Sequence, residues 1–177
     1  MADLPPELPP GTPDGTLPEL ADLSPLAESN TTTGRGTARR AVSILLAKKQ
    51  GFHEPSAQER RNLCVGFAKV GKVLYGAAFD AVRLAGAVDL SSHESIERDI
   101  DLITVYEVKS TNRPKLDAAF SGYFFDLTTA ELLVAQSLGD SYRFAFVNTI
   151  SGEHIELGLS EVFGKARRIY PKWAVLF

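Results

Sequence analysis

The chain predicts an α/β domain, a central mixed sheet flanked by helices, preceded by a disordered arm. Three observations carry that expectation. Apolar runs rich in β-branched and aromatic residues, within Asp99–Asn112 and at Tyr142–Asn148, read as strands. Two sets, Ser56-Ala-Gln-Glu59 and Thr128-Thr-Ala-Glu131, match the capping box that opens a helix. Residues 1–34 hold seven of the ten prolines and no aromatic residue. Such a segment buries too little apolar surface to offset its ordering entropy. The expected division is therefore a Pro-rich acidic arm over 1–35 and one folded domain over 36–177.

Composition narrows the functional classes. Of the 177 residues, 44% are hydrophobic and 23% charged, as in ordinary globular domains. The one cysteine, Cys64, excludes an internal disulfide and fits a reducing compartment. No apolar run reaches bilayer length, and the N-terminus lacks the basic-then-apolar pattern of a signal peptide, so a cytoplasmic protein without membrane contact is expected. The net charge is −3, but six of the 22 acids (Asp3, Glu7, Asp14, Glu19, Asp22 and Glu28) fall in 1–34. Residues 35–177 then carry all 19 Lys and Arg against 16 acids, a balance of +3, which permits contact with phosphate.

The elements follow in order. Thr37 suits the N-cap of a helix running to about Gln50, with Ala41, Ile44, Leu45 and Ala47 inward and Gly51 as its stop. After Ser56, apolar residues recur at helical spacing from Leu63 to Leu84, broken by Gly66, Gly71 and Gly76. This predicts one long kinked helix or two shorter ones, ending near Gly86. Val88–Arg98 is polar and turn-like. The stretch Asp99–Asn112 reads as two short strands with a bend near Ile103–Thr104. Ser110–Gly122 reads as a loop, and Tyr123–Leu127 as a short extended segment. The second capping box opens a helix to Leu138, ended by Gly139. Strands follow at Tyr142–Asn148 and His154–Leu157, joined by a turn at Ser151-Gly152. Ser160 would cap a last helix to about Tyr170, and Trp173–Phe177 would form a terminal strand or apolar plug.

Chemistry concentrates in Asp99–Asn112. Side chains alternate along a strand, so Glu107 and Lys109 share one face while Tyr106 and Val108 take the other. Asp99 and Asp101 alternate likewise on the strand before. A bend at Ile103–Thr104 would set one of them opposite Glu107. Two carboxylates and a lysine at a strand end can hold Mg²⁺ and orient a water. Asp101, or Asp99 in its place, and Glu107 would then supply the carboxylates, with the Val108 carbonyl as a candidate third ligand. Lys109, kept protonated by its neighbours, acts electrostatically rather than as a base. Asn112, Arg113 and Lys115 lie just beyond, where a substrate backbone would lie. The chain has no zinc spacing among His53, His93 and His154, no nucleotide-cradling Gly-rich loop and no serine nucleophile elbow.

An acid, a short gap and Glu107-x-Lys109 on an apolar strand resemble the PD-(D/E)XK nuclease superfamily. Glu107-Val-Lys-Ser-Thr, Phe125-Asp-Leu-Thr-Thr-Ala-Glu-Leu and Leu138–Asn148 further resemble a nuclease-like domain found at the C-terminus of NO VEIN-type proteins and in bacterial restriction systems. The likeness covers roughly 95–177. It implies a restriction-endonuclease-like fold and a Mg²⁺- or Mn²⁺-dependent endonuclease acting on DNA, in restriction or phage defence. It also implies a homodimer or a place in a larger assembly, since one site cuts one strand. Asp101 lies only six positions before Glu107, a shorter gap than in many members, so Asp99 is the alternative aspartate and Asp89 a third. Members often add an acid on the preceding helix, for which Glu59 and Asp80 are the candidates. The alternative function is a non-catalytic module of the same fold that binds nucleic acid or serves as a subunit.

Overall fold

The computed structural model describes residues 33–170, with side chains from Gly36 onward. Most of the predicted arm and the Trp173–Phe177 segment lie outside the described residues. Among the described residues, five strands form one mixed sheet in the order β1-β2-β3-β4-β5, and helices cover both faces. The strands are β1 Phe52–His53, β2 Ala81–Leu84, β3 Ile103–Thr111, β4 Tyr142–Asn148 and β5 His154–Leu157. All neighbours pair antiparallel except β3 and β4, which are parallel. A parallel pair needs a crossover, and the helix opened by Thr128 supplies it.

One face is closed by α1 (Thr33–Ala47), whose Ala41, Val42 and Leu45 pack on Phe52, Tyr106, Val108 and Val147. The helix begins before Thr37, so Thr37 is an interior residue, and Ala47 is exposed while Val42 takes the inward place. The other face is closed by α2 (Ala57–Lys69), α3 (His93–Arg98), α4 (Thr129–Leu138) and α5 (Leu159–Lys165). Leu63, Phe67, Ile96, Val134 and Leu138 meet Val82, Val105 and Phe144 there. Both predicted capping boxes form, at Ser56/Glu59 and Thr128/Glu131. Gly66 lets α2 approach α3: a Cβ there would collide with the Ile96 side chain.

Three further expectations are corrected. The Leu63–Leu84 stretch is not helical throughout. The helix ends at Lys69, turns follow, and Ala81–Leu84 is a strand. Small apolar residues satisfy helix and strand spacing alike over so short a run. Second, no bend interrupts Ile103–Thr104; β3 is one continuous nine-residue strand. Third, the last helix starts at Leu159, with Gly158 as N-cap, and ends at Lys165. Among the described residues no helix is long and apolar enough to cross a membrane.

Candidate active site

β3 lies at the centre of the sheet, and alternation decides what each face receives. Ile103 and Val105 enter the core beneath α2 to α5, while Tyr106 and Val108 enter the core beneath α1. Glu107 and Lys109 therefore continue the first face. The β2–β3 register pairs Ala81 with Tyr106. One step further sets Asp80 opposite Glu107 on that same face.

Asp80 is fastened there by main chain and side chain. Its N–H donates to the Tyr106 carbonyl at 2.8 Å, and its carboxylate accepts the Val108 N–H at 2.9 Å. β2 has not begun at this level, so the Asp80 side chain takes the ladder position a strand residue would fill. The turn before it is held by Arg60 of α2. That guanidinium donates to the carbonyls of Gly76 (3.1 Å), Phe79 and Asp80 (2.9 Å) and stacks on the Phe79 ring.

Lys109 joins two acids. Its Nζ donates to Glu107 Oε1 at 3.0 Å and to Glu131 Oε2 at 2.8 Å. Glu131 is the capping-box acid of α4, and the same Oε2 accepts the Thr128 N–H at 3.2 Å. Glu107 and Glu131 are 9% and 5% exposed, so water screens these charges poorly. Tyr142 lies close by and donates its hydroxyl to the Ala78 carbonyl. Burial pushes its phenol well up, and Glu107, Glu131 and Asp80 push it further.

Lys109 thus pairs with two carboxylates, and a third, that of Asp80, bears on Glu107 from the neighbouring strand, with Arg60 bound to the Asp80 main chain. Burial raises the Asp80 carboxyl, against the pull of the Val108 N–H, Arg60 and Lys109. Burial and then the Asp80 charge push Glu107 up to about 8, although Lys109 opposes them. Burial works against the Lys109 ammonium, but Glu107 and Glu131 outweigh it and hold the amine above its ordinary value. The ligand atoms that Asp80 and Glu107 offer are hard oxygens. Two adjacent carboxylates of this kind fit a divalent cation such as Mg²⁺. The Val108 carbonyl lies on the same strand edge as the Val108 N–H, so it remains a candidate third ligand. Among the described residues no group of three or more His, Cys, Asp or Glu side chains is gathered for a metal ion.

The other expected residues lie apart. Asp101 is exposed in a 3₁₀ turn, Ile100–Leu102, before β3. Asp99 caps α3, and its carboxylate is taken by Arg98 at 2.6 Å and by Ser95. Arg98 draws the Asp99 carboxyl below the usual range. Both acids sit at the Ile103 end of β3, four residues or ~13 Å of strand from Glu107. Without the bend, neither is brought opposite it. Asp89 binds Ser91 in a local turn, and Glu59 pairs with His53 at 3.2 Å. Asn112, Arg113 and Lys115 are exposed just past the Lys109 end of β3, and Arg113 reaches the Gly122 carbonyl at 3.4 Å. Asp80 was expected on a helix as an accessory acid. Nothing in Ala81-Val-Arg-Leu84 separates strand from helix spacing, so its place before a strand was not legible. Glu131 was legible only as a cap, because its contact with Lys109 spans 22 residues.

No protein-family model matches the chain, and neither does any curated protein or solved structure.

Proposed function

We propose that the chain is a Mg²⁺- or Mn²⁺-dependent endonuclease of the PD-(D/E)XK type, with a restriction-endonuclease-like fold, that hydrolyses DNA phosphodiester bonds. The observation that supports this most is the placement of Asp80 opposite Glu107, with Lys109 two residues on along the same face. This reading moves the metal-binding aspartate from Asp101 or Asp99 to Asp80. Asp80, Glu107 and the Val108 carbonyl would hold the cation. When bound, it supplies a Lewis acid that lowers the pKa of a water and offsets phosphate charge. Lys109 remains an ammonium. It donates hydrogen bonds to the attacking water and to the phosphate oxygens as their charge grows. Arg60 keeps the Asp80 turn in place. The exposed Arg113 and Lys115, beyond the end of β3, would contact the DNA backbone. A role in restriction or phage defence, as a homodimer or a subunit of a larger assembly in the cytoplasm, goes with this reading.

A second reading is a non-catalytic module of the same fold. What favours it is that Lys109 is already engaged by both Glu107 and Glu131 through ion pairs. Plasmid nicking separates the two. With Mg²⁺ or Mn²⁺ the wild type should nick supercoiled DNA, Lys109→Ala should not, and EDTA should abolish the activity. Equal background cutting by wild type and Lys109→Ala would reject the enzyme.

A further inference from the structure

We propose that Glu131, at the first turn of α4, is a positioning residue that keeps Lys109 in the site when Glu107 is engaged by a divalent cation. The inference rests on the metal-dependent reading above. An ammonium has three protons to donate. Here two go to carboxylates on different elements, Glu107 of β3 and Glu131 of α4. A cation on Glu107 removes one of those partners. Were Glu107 its only partner, Lys109 would compete with the cation for that carboxylate. Glu131 gives the amine a second holder, so Glu107 can be released without losing the lysine.

The local structure suits that role. Glu131 is buried, and the Oε2 that binds Lys109 is also tied to the Thr128 N–H. A carboxylate held from two sides does not swing away with its partner. Its charge also sits at the positive end of a ten-residue helix. Capping alone does not require a charge, because glutamine at the same place closes a capping box. A buried carboxylate there exceeds what the helix end needs, and the excess is met by Lys109.

The test is a calorimetric titration of Mn²⁺ into the full chain, with melting followed in parallel. Glu131→Gln keeps the cap acceptor and removes the charge. It should weaken Mn²⁺ binding about tenfold, a conservative figure for one charge lost near a divalent ion. Its melting temperature should stay within about 3 °C of wild type. Thr128→Ala breaks the cap without touching Lys109. It should lower the melting temperature and leave Mn²⁺ affinity within about twofold, since it changes no charge. Failure of the wild type to bind Mn²⁺ would overturn the metal-dependent reading itself. Binding by wild type with no change in Glu131→Gln would overturn only the role of Glu131. So would equal weakening by Thr128→Ala, or loss of cooperative melting in Glu131→Gln, because the acid would then serve the fold.

Discussion

The two faces of β3 each bury a cluster of charged and polar groups, and they solve the same problem in opposite ways. Under α1, Glu156 of β5 meets Arg83 of β2 through two bonds of 2.8 and 2.9 Å, and accepts the Tyr106 hydroxyl at 2.6 Å. Arg83 also lies over the Phe52 and Tyr106 rings, and His154 stands 3.5 Å from Glu156. Ala145, opposite Glu156 on β4, is small enough to leave room for this network. There a single acid is surrounded by donors. Under α2 and α4, Lys109 pairs with two acids, and a third, Asp80, stands beside Glu107. Every buried side-chain N or O atom among the described residues has a partner, so neither cluster is a packing error. They differ in charge balance. The first holds the sheet together; the second crowds three carboxyl groups together where burial makes their ionisation costly. Sites that store such cost are candidates for function.

Substitutions should therefore act differently on the two faces. The largest effect is expected from Lys109→Ala, which removes the only ammonium among three acids. Nicking should fall at least ~100-fold, the usual loss for a transition-state donor, in a plasmid assay at saturating metal. Next comes Glu156→Gln on the opposite face. Breaking a part-buried ion pair and leaving Arg83 without a carboxylate should cost about 2 kcal/mol in urea unfolding. Activity per folded molecule should be unchanged. Were nicking lost there as well, the division between the faces would fail.

Asp80→Asn should do the reverse. It can still accept the Val108 N–H, and it relieves repulsion with Glu107, so the metal-free protein should gain about 1 kcal/mol while losing metal binding. The pH dependence has the same origin. Glu107 titrates near 8 when folded against an ordinary 4.5, so the folded chain holds a proton that the unfolded chain releases. Its contribution is fully present below about 4.5 and is lost as pH rises through about 8. Urea melts at pH 6 and pH 9 should show lower stability at pH 9, and Asp80→Asn should flatten the difference. The smallest effect belongs to Arg113→Ala. Loss of one exposed phosphate contact should weaken DNA binding a few-fold and reduce the salt slope by about one.

What the sequence made legible follows from locality. Both capping boxes, α4 from Thr129 to Leu138, and the strands at Tyr142 and His154 rest on short-range patterns, and they form as expected. The alternation of Glu107 and Lys109 was equally readable. The aspartate was not, because its choice depends on which strand lies beside β3. Asp99 and Asp101 are near in sequence but belong to a helix cap and a 3₁₀ turn. Asp80 is 27 residues before Glu107 and reaches it only through the β2–β3 register. β1, two residues long, carries no periodic signal at all.

The central claim is that Asp80, and not Asp99 or Asp101, works with Glu107 and Lys109. Nicking by wild type, Asp80→Asn, Asp99→Asn and Asp101→Asn at saturating Mg²⁺, with Mn²⁺ affinity measured on the same samples, tests it most directly. Asp80→Asn alone should lose both metal binding and cleavage, and should melt no lower than wild type. Full activity in Asp80→Asn, or loss confined to Asp99→Asn or Asp101→Asn, would contradict it.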